Sequence, residues 1–366
     1  MTRHVATSGA SAFDVRRYRP ADRAEVAALY ERVCGSDGSA WLSWRYEDNP
    51  YVSHVPMALA TVDGDVVAAI PAVAFELHVG TDDRLALQLA DPVVQPEYRS
   101  TEVVTRAIRH LQSVYADRDP ALFFRVSRDG PPVDGFRAVA RLPTAYRVSR
   151  LRGLVADDAG PRTRALARLL GPFVRLSRWL RDTDSAAEGV TRSNHVPVRT
   201  LTGLARDHRP AGIHAVRDPR YLAWRFGNPA WSYTTYLAGE TGVRAAVVVG
   251  ERRTEGTHVV ALTDIYPPAA ENRSEAVADL VRAVVADHPD ADRVVADGAV
   301  LPQGVRRRTG FDCDDGRPLS WLCSPATLHV CPATGPDPAD ADWQVGGRDI
   351  RDPDNWHLSL AERDGW

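Results

Sequence analysis

Residues 41–50 read WLSWRYEDNP, and residues 221–229 read YLAWRFGNP. Both run aromatic, Leu, small residue, Trp-Arg, a second aromatic and then Asn-Pro. Trp44 and Trp224 stand 180 residues apart. A phrase this particular in residue type, spelled twice, points to an internal duplication. Two more landmarks recur. Val15-Arg16 opens the alternating run FDVRRY and Val198-Arg199 opens VPVRTL, an offset of 183 residues. Gly135-Phe136 leads into GFRAVARL and Gly310-Phe311 into GFDCDDGRPLSWLC, an offset of 175. The offsets shrink in order, as loop deletions in a shorter second copy would make them.

Each copy also spells the same order of elements. In the first, a strand at DVRRY gives way to a turn at Pro20-Ala21-Asp22 and a helix, with Asp22 expected as N-cap. Val26, Leu29, Tyr30 and Val33 keep helical spacing. After the Trp-Arg phrase, MALATVDGDVVAAIPAVAFELHVG alternates about an Asp-Gly turn and reads as a hairpin. RLALQLADPVV is a further strand, and RSTEVVTRAIRHLQSVY places Val103, Val104, Ala107, Ile108 and Leu111 on one helical face. ALFFRV and GFRAVARLPTAYRV complete the sheet. The second copy repeats this with YTTYLAGETGVRAAVVVGE, HVVALTDIY, SEAVADLVRAVVAD, ADRVVADG and PLSWLC. The expected class is α+β, with two tandem lobes of mixed, largely antiparallel sheet flanked by helices.

Composition bounds the chemistry. The 366 residues carry a net charge of −3, with 44% hydrophobic and 25% charged residues, the balance of a soluble globular chain. No DNA partner is expected from that charge. All 45 basic residues are Arg, which excludes Schiff-base catalysis and a P-loop lysine. No run of apolar residues is long enough to span a membrane, and the N-terminus lacks a signal-peptide core, so a cytoplasmic protein without a membrane partner is expected. Cys34, Cys313, Cys323 and Cys331 show no CxxC spacing. His329-x-Cys331 reads as strand packing, and no metal is expected.

The chain divides into a first lobe at 1–150, a connector at 151–195, a second lobe at 196–330 and a tail at 331–366. Within the connector, Leu166, Leu169, Leu170, Phe173, Leu176 and Leu180 form a helical stripe among six arginines, broken at Gly171-Pro172. A helical pair over 162–181 that bridges the lobes, a membrane-surface face and a contact for phosphate-rich ligands or tRNA compete there. The tail is acidic and turn-rich, with Trp343 and Trp356 expected to pin it to the body.

This order of elements, with VRRYRPAD at the start and ADPVVQPEYRS running into an apolar helix, resembles the GNAT N-acetyltransferase superfamily. The doubled Trp-Arg phrase and the late DPDNWHLSL are similar to its two-lobed members. The resemblance covers roughly residues 13–366. It implies an N-acyltransferase that moves an acetyl group from acetyl-CoA, as co-substrate, to a small-molecule or peptide amine between the lobes. It also implies a strand that splays before the long helix, so that the pantetheine arm pairs with Val93, Val94 and Gln95. The pyrophosphate would then lie on Arg99, Ser100, Thr101, Glu102 and Val103, where free N–H groups and the helix dipole favour an anion.

The residues depart from that family in places. Its phosphate loop runs Arg or Gln, two free positions, Gly, a free position, then Gly or Ala; here Arg99 fits, while Glu102 and Val104 replace the small residues. A carboxylate about 4 Å from a phosphate costs on the order of 4 kcal/mol before screening. The Tyr that serves the family as acid is replaced by Pro131, which leaves Asp91 as candidate base and Tyr146 as candidate acid. Pro267 and Pro268 stand where the second copy would need backbone donors, so that lobe is expected to be non-catalytic. Two alternatives stay open: a binding or scaffold protein that kept the fold without the chemistry, and a tRNA-dependent aminoacyl transferase of the duplicated-lobe type. The repeated phrase itself reads as a packing element, with Arg45 also within possible reach of the acceptor.

Overall fold

A computed structural model describes residues 13–35, 38–99, 101–116, 120–128, 133–150, 189–239, 242–254, 256–268, 274–335 and 337–363. The arginine-rich stretch 161–182 lies outside the described residues. The first half of the chain forms β1 (Asp14–Arg17), α1 (Arg23–Cys34), α2 (Ser39–Leu42), β2 (Met57–Val62), β3 (Asp65–Val79), β4 (Asp82–Leu89) and β5 (Val93–Val94). It continues with α3 (Thr101–Tyr115), β6 (Leu122–Ser127), β7 (Arg137–Leu142) and β8 (Thr144–Val148). The second half forms β9 (Val190–Ser193), α4 (Val198–Asp207), β10 (His214–Ala215), α5 (Pro219–Arg225), β11 (Ser232–Ala238), β12 (Ala245–Thr254) and β13 (Thr257–Tyr266). Then come α6 (Ser274–Asp287), β14 (Arg293–Asp297), α7 (Gln303–Thr309), β15 (Asp312–Cys313) and β16 (Ala326–Pro332).

One sheet runs β1-β2-β3-β4-β6-β16-β7, with β5 and β10 also paired to β3; the other runs β9-β11-β12-β13-β14-β8-β15. The two orders match position for position. In each, one parallel pair (β4–β6, β13–β14) is joined by a crossover helix, and the other pairs are antiparallel. The architecture is the expected α+β with two flanked, largely antiparallel sheets.

The matching exposes an exchange that a contiguous reading misses. β8 follows β7 in sequence, yet it pairs with β14 and β15 in the second sheet. β16 follows β15 and pairs with β6 and β7 in the first. Each half of the chain thus supplies one strand to the sheet of the other. Alternation in a sequence marks a strand but not its partner, so Tyr146, read with the first lobe, belongs to the second sheet. The landmark at Val198 is also corrected. VPVRTL opens α4, not a strand, because Leu201, Leu204 and Ala205 recur at helical spacing and are buried together. The counterpart of β1 is β9, since each is the strand beyond its hairpin. Asp22 precedes α1 but does not cap it with its side chain; it accepts from the Arg19 N–H at 2.7 Å and from Arg16.

The core is layered. α3 covers the outer face of the first sheet with Ala107, Ile108 and Leu111 against Leu87 and Phe123. α6 covers the outer face of the second with Val277, Leu280, Val281 and Val284. Between the sheets, α1, α2, α4 and α5 share one continuous core with Phe75, Phe124, Val248 and Tyr266. Among the described residues, no helix is long and apolar enough to cross a membrane.

At the centre of that layer the two copies of the phrase meet. The Trp44 indole N–H donates to the Trp224 carbonyl at 2.5 Å, and the Trp224 indole N–H donates to the Trp44 carbonyl at 2.8 Å. The rings stack at 6.0 Å and 21°. Each buried donor is satisfied only through the other copy, which explains why both keep Trp: no smaller apolar residue supplies the ring and the N–H together. Trp44→Ala should cost about 3–5 kcal/mol of stability, and Trp224→Phe about 1–3 kcal/mol through the unpaired Trp44 carbonyl. Urea denaturation measures both; a loss below about 0.5 kcal/mol for either would contradict the contact.

Candidate functional site

β4 and β6 run together only briefly. Ala86 to Gln88 pair with Leu122 to Phe124, and there the parallel ladder ends. β6 stays with β16 as far as Ser127. The other strand bends at Ala90 to Pro92 and rejoins β3 as β5, with Val93 opposite Ala69 and Val94 opposite Ala68. Two parallel strands therefore part at their C-terminal ends. The Gln95 N–H donates to Val67 O at 2.9 Å, and its side-chain amide to Val66 O at 3.2 Å. Strand alternation then turns the N–H and C=O of Val94 away from β3 and into the gap.

The bend is held by residues of the repeated phrase. Asp91 has φ of 49°, in the left-handed region that few residues other than glycine occupy, and Pro92 follows it. Arg45 Nε donates to Asp91 Oδ2 at 2.6 Å and the Tyr46 hydroxyl to the same oxygen at 3.0 Å. The Tyr30 hydroxyl donates to the Asp91 carbonyl at 2.6 Å; burial holds that phenol well above its ordinary pKa, so it stays a donor. Arg45 is 6% exposed and Asp91 27%, which makes the pair a half-buried clasp. Sequence reasoning singled out Asp91 without seeing the three groups that grip it. The doubled WRY/WRF phrase was the available signal, since only the first copy has a tyrosine at its end.

Beyond the bend, the turn at Pro96–Tyr98 leads to α3. Arg99 is exposed, and its Nε lies 3.5 Å from Val94 O. Ser100 lies outside the described residues. Thr101 opens the helix; Val103 is buried against Ala60, Val67 and Ala68. Glu102 points outward, its side chain 66% exposed and 3.8 Å from the Arg106 guanidinium. The carboxylate thus stands clear of the helix end, with a cation beside it. Val93, Val94, Gln95, Arg99 and the start of α3 form one continuous stretch along the gap, with Asp91 at its bend.

Tyr146 lies elsewhere. It sits on β8 in the second sheet, and no hydrogen bond or ion pair joins it to Asp91 among the described residues. Its hydroxyl accepts from Arg128 Nη2 at 2.7 Å, and burial raises its pKa. Tyr146 lines a cavity of about 350 Å³ with Arg128, Thr144, Arg252, Val259, Arg293 and Val295. The arginines were not recognisable in sequence, because only strand pairing gathers ERRT and DRVV at one place.

The second lobe repeats the strands but not the opening. Asp264, near the end of β13, is fully buried with Arg217, whose Nε lies 2.7 Å away. Arg217 also reaches Glu362 at 3.0 Å, and Glu362 accepts from the Tyr221 hydroxyl at 2.7 Å. Arg363 pairs with Asp297 at the end of β14. The segment 359–363 of the chain thus occupies the region where β13 and β14 end. Arg225, the counterpart of Arg45, donates to the Ala361 carbonyl instead of a bend carboxylate.

If Asp91 grips the bend, Asp91→Asn should lower stability by about 1–3 kcal/mol, less than a fully buried pair because Asp91 is part-exposed. Glu102→Gln should change it by less than about 0.5 kcal/mol. Chemical denaturation tests the contrast; equal effects would contradict the clasp.

No family model matches the chain, and no curated protein matches it. Solved structures do. A probable N-acyltransferase from Enterococcus faecalis V583 aligns at 10% identity over 88% of this chain and 73% of that one, with a TM-score of 0.59. A GCN5-related N-acetyltransferase from Anabaena variabilis aligns at 11% identity over 88% and 73%, with a TM-score of 0.55. The N-myristoyltransferase of Saccharomyces cerevisiae with bound myristoyl-CoA aligns at 10% identity over 89% and 83%, with a TM-score of 0.56. Sheet order, parted strands and duplicated lobes agree with these likenesses: the chain has the two-lobed GNAT fold.

Proposed function

We propose that the protein is an acyl-CoA-dependent N-acyltransferase, with acyl-CoA on the first lobe and an amine acceptor between the lobes. The observation that carries this is the gap itself. Val94 turns an N–H and a C=O into it, so the amides of a pantetheine arm find strand-like partners, and the gap leads to the N-terminal end of α3. There the free N–H groups and Arg99 suit a pyrophosphate. The outward Glu102 weakens the electrostatic objection to an anion at this helix. Acetyl-CoA is the simplest donor for this site, and the bound myristoyl-CoA of the yeast neighbour makes a longer acyl chain the natural comparison.

In this reading the amine nitrogen attacks the thioester carbonyl. The C–N bond forms, the C–S bond breaks, and the amine proton must leave as the thiolate gains one. Asp91 Oδ2 is committed to Arg45 and Tyr46, which leaves Oδ1 to receive a proton. Tyr146, kept protonated by burial, is the candidate donor from the facing lobe. Orientation of amine and thioester alone supplies several kcal/mol of the barrier. The second lobe is read as non-catalytic, since buried ion pairs fill the region where its strands end.

One observation favours a binding protein without chemistry: Arg99 Nε lies at the Val94 carbonyl, where a pantetheine amide would bind. Calorimetric titration with acetyl-CoA and with myristoyl-CoA decides between the two. Binding of either supports the enzyme, and Arg99→Ala should then weaken it about tenfold, more at low salt. Glu102→Gly should strengthen it only a few-fold, because the carboxylate is exposed and paired. No binding of either ligand at millimolar concentration, or tighter binding by Arg99→Ala, would favour the scaffold.

A further inference from the structure

We infer that the cavity between the lobes is an oxyanion site, which takes a carboxylate or phosphate carried by the acceptor amine. Only the word acceptor rests on the acyltransferase reading. The cavity has a built floor and built walls. Arg252 pairs with Val259, and Val259 pairs with Arg293, so the three lie in one row across β12, β13 and β14. Side chains in one row share a face. In the next row, Val295 pairs with Tyr146 on β8. Val259 and Val295 make the floor, while Arg252 and Arg293, two strands and so about 10 Å apart at the backbone, stand on either side. Arg128 comes from the end of β6 in the other sheet and donates to the Tyr146 hydroxyl. The site is therefore closed from both lobes, and the exchange of β8 is what brings Tyr146 into it.

Its charge is one-sided. Three guanidinium groups line the cavity, and no carboxylate lines it among the described residues. The acid that bears on Arg128 and Tyr146 is Asp314, whose Oδ1 accepts from the Thr144 N–H at 2.9 Å. Arg252 is steadied by the Trp231 ring, 4.7 Å away. Burial lowers the pKa of both Arg252 and Arg293, and for Arg293 the neighbouring Arg252 and Arg128 add to the effect. Holding three half-buried cations together is unfavourable unless an anion shares the site. The planar forks of arginine fit carboxylate and phosphate with paired hydrogen bonds, and a neutral or polycationic amine gains nothing from them. The acceptor class that follows is an amine bearing an oxyanion.

The test is a titration of the full chain, at low ionic strength, with inorganic phosphate and separately with succinate. The probe that binds more tightly tells which oxyanion the site prefers. Arg252→Gln and Arg293→Gln should each weaken binding by about tenfold or more, and Arg84→Gln, at an exposed pair with Asp82, should not change it. Arg128→Gln, outside the second sheet, should weaken it too, and it guards against a strand variant that fails to fold. Binding that is equal in wild type and all three variants, or absent for both probes, would overturn the inference. So would a phosphate signal lost in Arg99→Ala but kept in Arg252→Gln, which would place the anion at α3. Acyl-CoA is titrated in parallel. If it binds while neither oxyanion does, this inference alone falls; if the oxyanion binds while acyl-CoA does not, the acyltransferase reading falls and the anion site stands.

Discussion

The reciprocal contact of Trp44 and Trp224 is the constraint on which the molecule depends. Each indole N–H is buried, and each finds its acceptor on the main chain of the other copy. Neither lobe can satisfy that donor alone, so the lobes are joined by a bond that only a duplicated sequence can make symmetric. The exchange of β8 and β16 works in the same direction. Each sheet would lack a strand between its last parallel member and its edge if the other half of the chain did not provide it. A chain that depends on both devices should fold as one cooperative unit, because separating the lobes exposes two indoles and opens two strand ladders.

From this symmetric centre the two copies diverge. In the first, Arg45 and Tyr46 reach forward from the phrase to hold Asp91 in a left-handed bend, and the bend parts β5 from β6. In the second, Arg225 turns to the main chain of the C-terminal segment, and Arg217 is enclosed between two buried carboxylates. Burial pushes the Asp264 carboxyl upward even beside that guanidinium. Removing one member of such a cluster leaves an uncompensated buried charge, which makes this region costly to reopen. One phrase thus serves an opening in one lobe and a closure in the other.

Much of the fold was legible in the sequence because duplication and alternation are local signals. The repeated Trp-Arg phrase, the Asp-Gly hairpin and the helical face of Val103, Ala107, Ile108 and Leu111 each rest on spacing alone. VPVRTL misled because three alternating residues fit a strand as well as the first turn of a helix, and only Leu201 and Leu204 further on distinguish them. The strand exchange was invisible, since no residue of TAYRV states which sheet it will join. For the same reason Tyr146 was assigned to the wrong lobe and the three arginines around it were not gathered. Glu102 was read correctly as a departure from the family pattern, yet the direction of its side chain depends on the helix phase and on Arg106. The sign of its effect follows from type; its size follows from geometry.

The central claim is that the first lobe alone keeps an open strand edge for the acyl donor. Amide hydrogen exchange with and without acyl-CoA tests it most directly. The account predicts new protection at residues 93–95 and at 101–103, where the Val94 edge and the start of α3 meet the ligand, and no change at 263–266 on the end of β13. Protection at 263–266, or unchanged exchange at 93–95 with acyl-CoA demonstrably bound, would contradict it.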